Sequence, residues 1–203
     1  SFLKHSLMED NTFNDKSNEN LPNFLRTYQS KGVLRMKQIF NNGGHCLLSD
    51  EMGLGKTIQV LSLIYKYSKS KLPSLIVCPA SVIHVWKKES SKWYPNLKVE
   101  ILNSHKSINR IDGTIWLISY SLLRININKL KNLEFEYVII DEAQYIKNPQ
   151  AKTSKACYVL KGKYRLAITG TPLENKLLDI WSIFNFLMPG LMGEVTQFEE
   201  YIE

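Results

Sequence analysis

The sequence predicts an α/β fold in which a mostly parallel sheet is covered by helices on both faces. Short runs of apolar and β-branched residues recur along the chain, and segments with helical spacing separate them. Strands that are apolar on both faces and alternate with helices are typical of parallel sheets. A glycine-rich turn between the first apolar run and a helical segment is typical of phosphate-binding loops. In such folds the ligand binds at the carboxyl ends of the strands.

The composition is that of a globular protein with an excess of basic residues. The chain has 203 residues, of which 44% are hydrophobic, and a net charge of +7, which suits a polyanionic partner without requiring one. The three cysteines are far apart among apolar residues, which favours reduced thiols in a cytoplasmic protein over disulfides or a zinc site. No apolar run approaches the roughly 18 residues of a membrane span. The chain begins with Ser1 instead of Met, so we expect a piece of a longer protein.

The predicted elements follow one another in a regular order. Residues 1–20 are polar, rich in Asn and without periodicity, so we expect a flexible tail or linker followed by one domain over 21–203. The segment from Leu25 to Phe40 has helical spacing and ends at a pair of glycines. Predicted strands then lie at 46–48, 74–78, 99–102, 114–119, 137–140 and 165–169. Further predicted helices lie at 56–69, 81–92, 120–131, 152–160 and 174–187.

The first motif is a candidate phosphate-binding loop that leads into a helix. Gly53 and Gly55 allow backbone N–H groups to approach a polyphosphate, Lys56 can reach its β- and γ-phosphates, and the Thr57 hydroxyl can ligate Mg²⁺. Asp50 stands where the general pattern has glycine, and an ordinary turn with an incidental lysine is the alternative. The whole candidate loop consists of Asp50, Glu51, Met52, Gly53, Leu54, Gly55, Lys56 and Thr57.

The second motif is a pair of carboxylates at the end of the apolar run from Tyr137 to Ile140. Asp141 would hold Mg²⁺, directly or through water, and Glu142 would orient and deprotonate an attacking water. Adjacent strand residues point to opposite faces, so only a bend at the strand end can bring both carboxylates to one site. The alternative is an acidic helix cap.

The third motif is a Thr-Gly-Thr-Pro turn that follows the last predicted strand. Thr169, Gly170 and Thr171 could contact Gln144 and the γ-phosphate region and so report the state of the nucleotide. An ordinary turn, with Thr171 as a helix cap and Pro172 at the first helical position, explains the same residues equally well.

In order and spacing, the three motifs resemble those of the Swi/Snf-type ATPases, superfamily-two DNA translocases that include chromatin remodellers and bacterial relatives. The family's own loop has Asp at the position of Asp50, and Gln144 replaces the His of many members, a variant we associate with bacterial ones. The resemblance implies a RecA-like P-loop lobe over 21–203 that binds ATP and Mg²⁺. Within it, Gln29 would recognise the adenine base. Further matching segments are 25–33, 77–81 with Trp86, 118–124 and 181–190.

The resemblance also implies partners. Duplex DNA would be held by backbone contacts from Pro79, Ala80, Ser81, Ser119 and Tyr120. A second RecA-like lobe, which we expect beyond this chain, would supply arginines to the γ-phosphate, so the isolated lobe should be nearly inactive. A DNA-bound protein such as RNA polymerase is a candidate client, and a bacterial member would be cytoplasmic and nucleoid-associated.

Other functions stay open. An RNA helicase or a restriction-type translocase of the same superfamily is one, although the Thr-Gly-Thr-Pro turn disfavours the RNA branch. A nucleotide-gated scaffold that does not hydrolyse ATP is another, which the intact Lys56, Asp141 and Glu142 disfavour. The lysines beside Trp86 and Trp93 could form a basic-aromatic DNA patch, but a solvated helix face with the tryptophans packed inside is the favoured alternative.

Overall fold

The computed structural model describes residues 21–51, 53–103, 113–170 and 177–200. The predicted tail at 1–20, Met52 of the loop and Thr171 of the turn lie outside these ranges. The division into a tail and a domain therefore stays a prediction.

Six parallel strands form the sheet of the described chain. They are Cys46–Leu48 (β1), Ser74–Cys78 (β2), Val99–Ile101 (β3), Ile115–Ser119 (β4), Glu134–Ile140 (β5) and Lys161–Ile168 (β6). Their spatial order is β1-β6-β5-β2-β4-β3, and every pairing is parallel. The predicted α/β fold with a parallel sheet is confirmed.

Two strands begin earlier than predicted. The apolar runs marked only their buried ends, whereas β5 starts at Glu134 and β6 at Lys161. The first four residues of β6 alternate between exposed and half-buried, because this part of the strand extends beyond the core. Hydrophobicity alone therefore missed these strand starts.

Helices lie between most of the strands, as the sequence predicts. They are Thr27–Asn41 (α1), Lys56–Tyr67 (α2), Ile83–Trp93 (α3), Tyr120–Leu130 (α4), Lys152–Tyr158 (α5), Leu177–Leu187 (α6) and Val195–Glu200 (α7). Short 3-10 turns lie at Ala80–Val82 and Ala143–Ile146. None of the helices in the described ranges has the length and apolar character needed to cross a bilayer.

Both faces of the sheet are buried. The first core packs α1, α2 and α3 against strand residues such as Ile76, Leu117 and Ile139. The second packs α4, α5 and α6 against the alternate residues, such as Val77, Ile118 and Ile140. The three cysteines are free and buried among these side chains. Burial raises the pKa of the Cys46 and Cys78 thiols to about 12, which leaves them protonated and unreactive.

The register of the strands aligns their carboxyl ends along one edge. Leu48 of β1 pairs with Ile168 of β6. The preceding residue of β6, Ala167, pairs with Ile140 of β5. On the other side of β5, Ile140 pairs with Val77 of β2. Cys78 at the end of β2 then pairs with Ser119 at the end of β4. The loops that follow β1, β6, β5, β2 and β4 are therefore neighbours in that order.

Candidate active site

The glycine-rich loop leaves β1 and enters α2 through two left-handed glycines. Gly53 has φ 85° and Gly55 has φ 72°, values that disfavour any residue with a Cβ. A Cβ on Gly55 would also lie 2.4 Å from Nε2 of Gln29, so glycine is required there for two reasons. Both features fit a loop whose amide groups must approach a bound anion closely.

Lys56 lies inside the curve of its own loop. Its Nζ donates hydrogen bonds to the backbone carbonyls of Asp50 at 2.8 Å and Glu51 at 2.9 Å. Thr57 follows as the second residue of α2 and is partly exposed. The ammonium group is thus held at the centre of the loop, next to the first turn of a helix whose N-terminus favours anions.

The side chain of Asp50 points towards a buried glutamine that sequence reasoning missed. Nε2 of Gln59, in α2, lies 3.4 Å from Oδ2 of Asp50, and Gln59 is only 1% exposed. A Cβ on Gly32 of α1 would lie 2.2 Å from Oε1 of Gln59, so a glycine at this position gives the amide its space. The available signal was a polar residue inside the apolar run from Ile58 to Ile64.

Helix α1 braces the loop from the other side. Tyr28 Oη and Gln29 Nε2 each donate to the carbonyl of Leu54 at 3.2 Å. Gln29 is buried and its Oε1 accepts a hydrogen bond from the backbone N–H of Arg26 at 2.9 Å. Gln29 is therefore placed beside the phosphate loop, and its contact with a base stays a prediction.

Asp141 is a buried carboxylate held by two donors. Its Oδ2 accepts a 2.8 Å hydrogen bond from the indole Nε1 of Trp86, and its Oδ1 accepts a 2.9 Å bond from the backbone N–H of Glu142. Burial raises the pKa of Asp141, Glu142 raises it further, and the Trp86 bond and the charge of Lys56 lower it. The loop after β1 and the carboxylate pair after β5 lie at the same edge of the sheet, on either side of β6.

Trp86 is 1% exposed and faces this site from α3. Its burial confirms that Trp86 packs inside the protein, which was the favoured alternative to a basic-aromatic DNA patch. Trp93 is half-buried, with Nζ of Lys92 4.3 Å from the centre of its ring. The sequence identified Trp86 as part of a motif but not as the partner of Asp141, since the two residues are 55 positions apart.

Glu142 supplies the bend that the carboxylate pair requires. Its φ of 54° and ψ of 60° are left-handed, and it is the one non-glycine residue with positive φ in the described ranges. Nε2 of Gln144 donates to Oε2 of Glu142 at 2.7 Å, and Oγ1 of Thr169 donates to Oε1 of Gln144 at 3.3 Å. The backbone N–H of Thr169 also bonds the carbonyl of Leu48 at 3.1 Å. The second and third motifs are therefore joined by hydrogen bonds, with partly buried Gly170 next in the chain.

The proposed DNA-contacting residues lie together at the ends of β2 and β4. Pro79 is buried, and Ala80 and Ser81 are exposed in the 3-10 turn. Ser119 is 9% exposed and caps α4, with its Oγ accepting from the backbone N–H of Leu122 at 3.2 Å. Tyr120 is 4% exposed and its hydroxyl donates to the carbonyl of Asp141, so its side chain faces the protein interior.

The residues present suit a magnesium ion that is shared with a nucleotide. No cluster of three or more metal-ligating side chains occurs in the described part of the chain. Magnesium bound with nucleotides needs few protein ligands, because phosphate oxygens and waters complete its octahedron. Each Asp141 oxygen accepts one of the hydrogen bonds described above, and a carboxylate oxygen has two lone pairs. Asp141 and Thr57 are therefore suitable ligands.

Comparison with known proteins places these features in context. A family model described as SNF2-related domain matches residues 28–203. An uncharacterized ATP-dependent helicase of Mycoplasma genitalium is 39% identical over 209 residues, which cover 99% of this chain and 20% of that protein. The ISWI chromatin-remodeling complex ATPase ISW2 of Saccharomyces cerevisiae is 37% identical over 193 residues, which cover 88% of this chain and 17% of that protein. The chain thus spans about a fifth of the length of these relatives.

Solved structures give the same result for the fold. The Sulfolobus solfataricus SWI2/SNF2 ATPase core in complex with dsDNA is 45% identical with a TM-score of 0.80, covering 87% of this chain and 38% of that one. The Sulfolobus solfataricus SWI2/SNF2 ATPase core domain is 41% identical with a TM-score of 0.82, covering 95% of this chain and 41% of that one. The predicted RecA-like fold is confirmed by these matches.

Proposed function

This chain belongs to the SNF2-related domain family, and from that premise we propose that it is the ATP-binding lobe of a DNA-dependent ATPase that translocates on duplex DNA. The hydrogen-bonded series Glu142–Gln144–Thr169 carries the proposal, because it joins the candidate catalytic carboxylate to the turn after β6. An ordinary turn would not need a buried hydroxyl aimed at the glutamine of the carboxylate motif. The whole protein would use the hydrolysis to remodel protein–DNA complexes.

ATP would bind over the loop between β1 and α2. The amide groups around Gly53 and Gly55 would surround the phosphates, and the positive end of α2 would add to the attraction. Lys56 would exchange its two backbone carbonyl partners for the β- and γ-phosphate oxygens. Since those carbonyls are neutral, charged phosphate oxygens would be the stronger acceptors. Gln29 would face the adenine from α1.

Thr57 and Asp141 would hold Mg²⁺. The ion would neutralise charge that develops on the phosphates. Asp141 must be ionised to bind it, and the hydrogen bond from Trp86 together with the charge of Lys56 favours the ionised form. The site thus offsets part of the cost of burying this carboxylate.

Glu142 would orient and deprotonate the water that attacks the γ-phosphate. Its left-handed backbone forms the bend that the two carboxylates need if they are to reach one site. Gln144 donates to the same carboxylate and accepts from Thr169, so a shift of the turn after β6 would change how Glu142 is held. Through this route, the turn at Thr169, Gly170 and Thr171 would couple nucleotide state to movement.

Duplex DNA would lie across the ends of β2 and β4. Ala80 and Ser81 are exposed there, and Ser119 caps the adjacent helix start. Backbone amides, hydroxyls and helix N-termini of this kind contact phosphates without reading the base sequence. The net charge of +7 supports such a polyanionic partner. A DNA-bound complex such as RNA polymerase is the proposed client, in the cytoplasm, where the free buried cysteines would stay reduced.

A second RecA-like lobe of the same polypeptide would complete the site. The chain covers 38% of the Sulfolobus solfataricus ATPase core that it matches. In nucleotide hydrolases an arginine finger contributes roughly 10³–10⁵ in rate. We therefore expect the isolated lobe to bind ATP weakly and to hydrolyse it very slowly.

The test is to measure ATP hydrolysis by the full-length protein with no nucleic acid, duplex DNA, single-stranded DNA and RNA in parallel. We expect duplex DNA to stimulate hydrolysis more than RNA does, and DNA affinity to fall as salt rises, because phosphate contacts release counterions. Equal stimulation by RNA would favour the RNA helicase branch. Nucleotide binding without turnover under every condition would instead favour the scaffold alternative.

A further inference from the structure

Glu142 has a backbone conformation that requires support. Left-handed φ and ψ values are uncommon for residues with a Cβ and persist where surrounding contacts hold them. The conformation is also essential to the site, since it is the bend that turns the chain between Asp141 and Glu142. The contacts that hold it therefore bear directly on where the Glu142 carboxylate points.

Three hydrogen bonds hold the peptide groups on either side of this bend. The backbone N–H of Glu142 donates to Oδ1 of Asp141 at 2.9 Å, and the backbone N–H of Tyr145 donates to the carbonyl of Glu142 at 2.9 Å. Both are local. The third comes from outside the turn, where the hydroxyl of Tyr120 donates to the carbonyl of Asp141 at 2.7 Å. Tyr120 thus anchors the bend to another element of the fold.

Tyr120 reaches this carbonyl across β2. It is the first residue of α4, directly after β4, and the sheet order places β2 between β4 and β5. The side chain is 4% exposed, and burial raises the pKa of its hydroxyl well above the ordinary value, so the group stays a donor. On its outer side lies the ring of Tyr145, parallel to within 6° with ring centres 5.0 Å apart. Tyr145 itself is 54% exposed.

We propose that Tyr120 is a positioning residue for hydrolysis, which holds the Asp141–Glu142 bend through its hydroxyl while Tyr145 covers its ring. The inference rests on the proposed function, because it concerns the residue assigned there as the base. It also gives Tyr120 a role that its burial suits better than direct contact with DNA. Since Ser119 caps the helix that Tyr120 begins, the anchor joins the proposed DNA surface to the carboxylate pair.

The experiment compares two tyrosine hydroxyl deletions in the full-length protein. Tyr120→Phe keeps the ring and its stack and removes the bond to Asp141. Tyr94→Phe is the matched control, because Tyr94 is 3% exposed and its hydroxyl donates to Oγ of Ser62 at 2.6 Å, within the other core. Both variants lose one buried hydrogen bond, so a general loss of stability should affect them alike. Only Tyr120→Phe touches the bend.

Two measurements decide the outcome. Hydrogen exchange at the amides of Glu142 and Tyr145 should accelerate in Tyr120→Phe and stay at the wild-type rate in Tyr94→Phe. The kcat for ATP of Tyr120→Phe should fall about tenfold or more with KM within about twofold, since a misaimed base affects the transition state more than binding. Tyr94→Phe should keep the wild-type kcat.

Unchanged exchange at the bend would overturn the inference whatever happens to hydrolysis. Faster exchange with an unchanged kcat would also overturn it, because the bend would then loosen without consequence. Exchange does not depend on turnover, so a wild-type protein that fails to hydrolyse ATP would refute the proposed function separately. A second variant, Tyr145→Ala, should show a smaller change of the same kind, because it uncovers the Tyr120 ring and leaves the hydroxyl in place.

Discussion

The indole nitrogen of Trp86 donates a 2.8 Å hydrogen bond to Oδ2 of Asp141, and both side chains are buried. Burial raises the pKa of the Asp141 carboxyl group, and this hydrogen bond lowers it. It therefore keeps the proposed magnesium ligand ionised at lower pH than burial alone would allow. A residue on α3 thus favours the ionised form of a carboxyl group that follows β5.

Trp86→Phe should move the acid limb of the pH–rate profile to higher pH. Removal of the donor raises the pKa of Asp141 further, so the carboxyl becomes protonated, and unable to bind Mg²⁺, at a higher pH than in the wild type. The measurement is kcat/KM against pH at saturating Mg²⁺. Trp93→Phe is the matched control on the same helix, since its indole bonds Glu89 at 2.8 Å, away from Asp141. An unshifted acid limb in Trp86→Phe would contradict the prediction.

Lys56→Ala should abolish ATP hydrolysis. The variant removes the cation at the centre of the phosphate loop, which would stabilise the charge on the phosphates in the transition state. Each factor of ten in rate corresponds to about 1.4 kcal/mol of this stabilisation. Lys66→Ala, at an exposed position of the same helix, should keep full activity. Steady-state hydrolysis with duplex DNA checks both variants. Turnover of the Lys56 variant near the wild-type rate would rule out this loop as the site.

Glu142→Gln should bind ATP and fail to hydrolyse it. Glutamine keeps the size of the side chain and a carbonyl oxygen to accept from Gln144, but it cannot take a proton from water. Nucleotide binding by calorimetry and hydrolysis in single turnover separate the two effects. Glu134→Gln, at the exposed start of the strand that precedes Glu142, should resemble the wild type in both. Joint loss of binding and hydrolysis would make Glu142 a structural residue.

Thr169→Val should weaken the stimulation of hydrolysis by duplex DNA several-fold while basal hydrolysis persists. Valine has the same shape but cannot donate to Gln144, so the proposed coupling route is cut without a cavity. Thr114→Val is the control, because the buried Thr114 hydroxyl has no hydrogen-bond partner among the described residues. The ratio of stimulated to basal rate is measured for both. Unaltered stimulation in Thr169→Val would remove Thr169 from the route.

Gly32→Ala should destabilise the protein although alanine is the better helix former. Alanine gains about 1 kcal/mol in a helix interior, whereas overpacking costs about 1–3 kcal/mol. The added Cβ would lie 2.2 Å from Oε1 of Gln59, so this buried amide would have to move and its 3.4 Å hydrogen bond to Asp50 would be disturbed. Denaturant unfolding measures the net effect. In the double variant with Gln59→Ala the penalty should largely disappear, and full additivity of the two changes would show that no clash exists.

Local sequence was sufficient to predict most of the elements and to identify the residues of the candidate site. The alternation of apolar runs and helical segments predicted the parallel sheet, because burial on both faces leaves no polar alternation in a strand. The glycines predicted a loop that an anion can approach closely, and the left-handed backbone at Gly53 and Gly55 in the structure fits that prediction. The bend between Asp141 and Glu142 also followed from the period of two in strands. Its location at Glu142 became visible only in the structure.

Partnerships between distant residues were not accessible from the sequence. In the sequence, Gln59 is only a polar residue within an apolar helix. Its hydrogen bond to Asp50 and its close approach to Gly32 are visible only in the structure. The contact of Tyr120 with DNA stays a prediction, and the bond from its hydroxyl to the carbonyl of Asp141 is visible only in the structure. The contacts of a buried side chain depend on which helices cover that face of the sheet, and local residue spacing does not determine which helices these are.

The sequence by itself determined the type of most elements, the residues of the candidate phosphate loop and the presence of a carboxylate pair, because these depend on residues within a few positions of one another. Tertiary structure decided which elements meet. The order β1-β6-β5-β2-β4-β3 sets Thr169 between the loop and the carboxylates, and it brings Trp86 and Tyr120 to Asp141 from opposite faces of the sheet. Strand order is a non-local property, since it is fixed by packing between segments far apart in the chain.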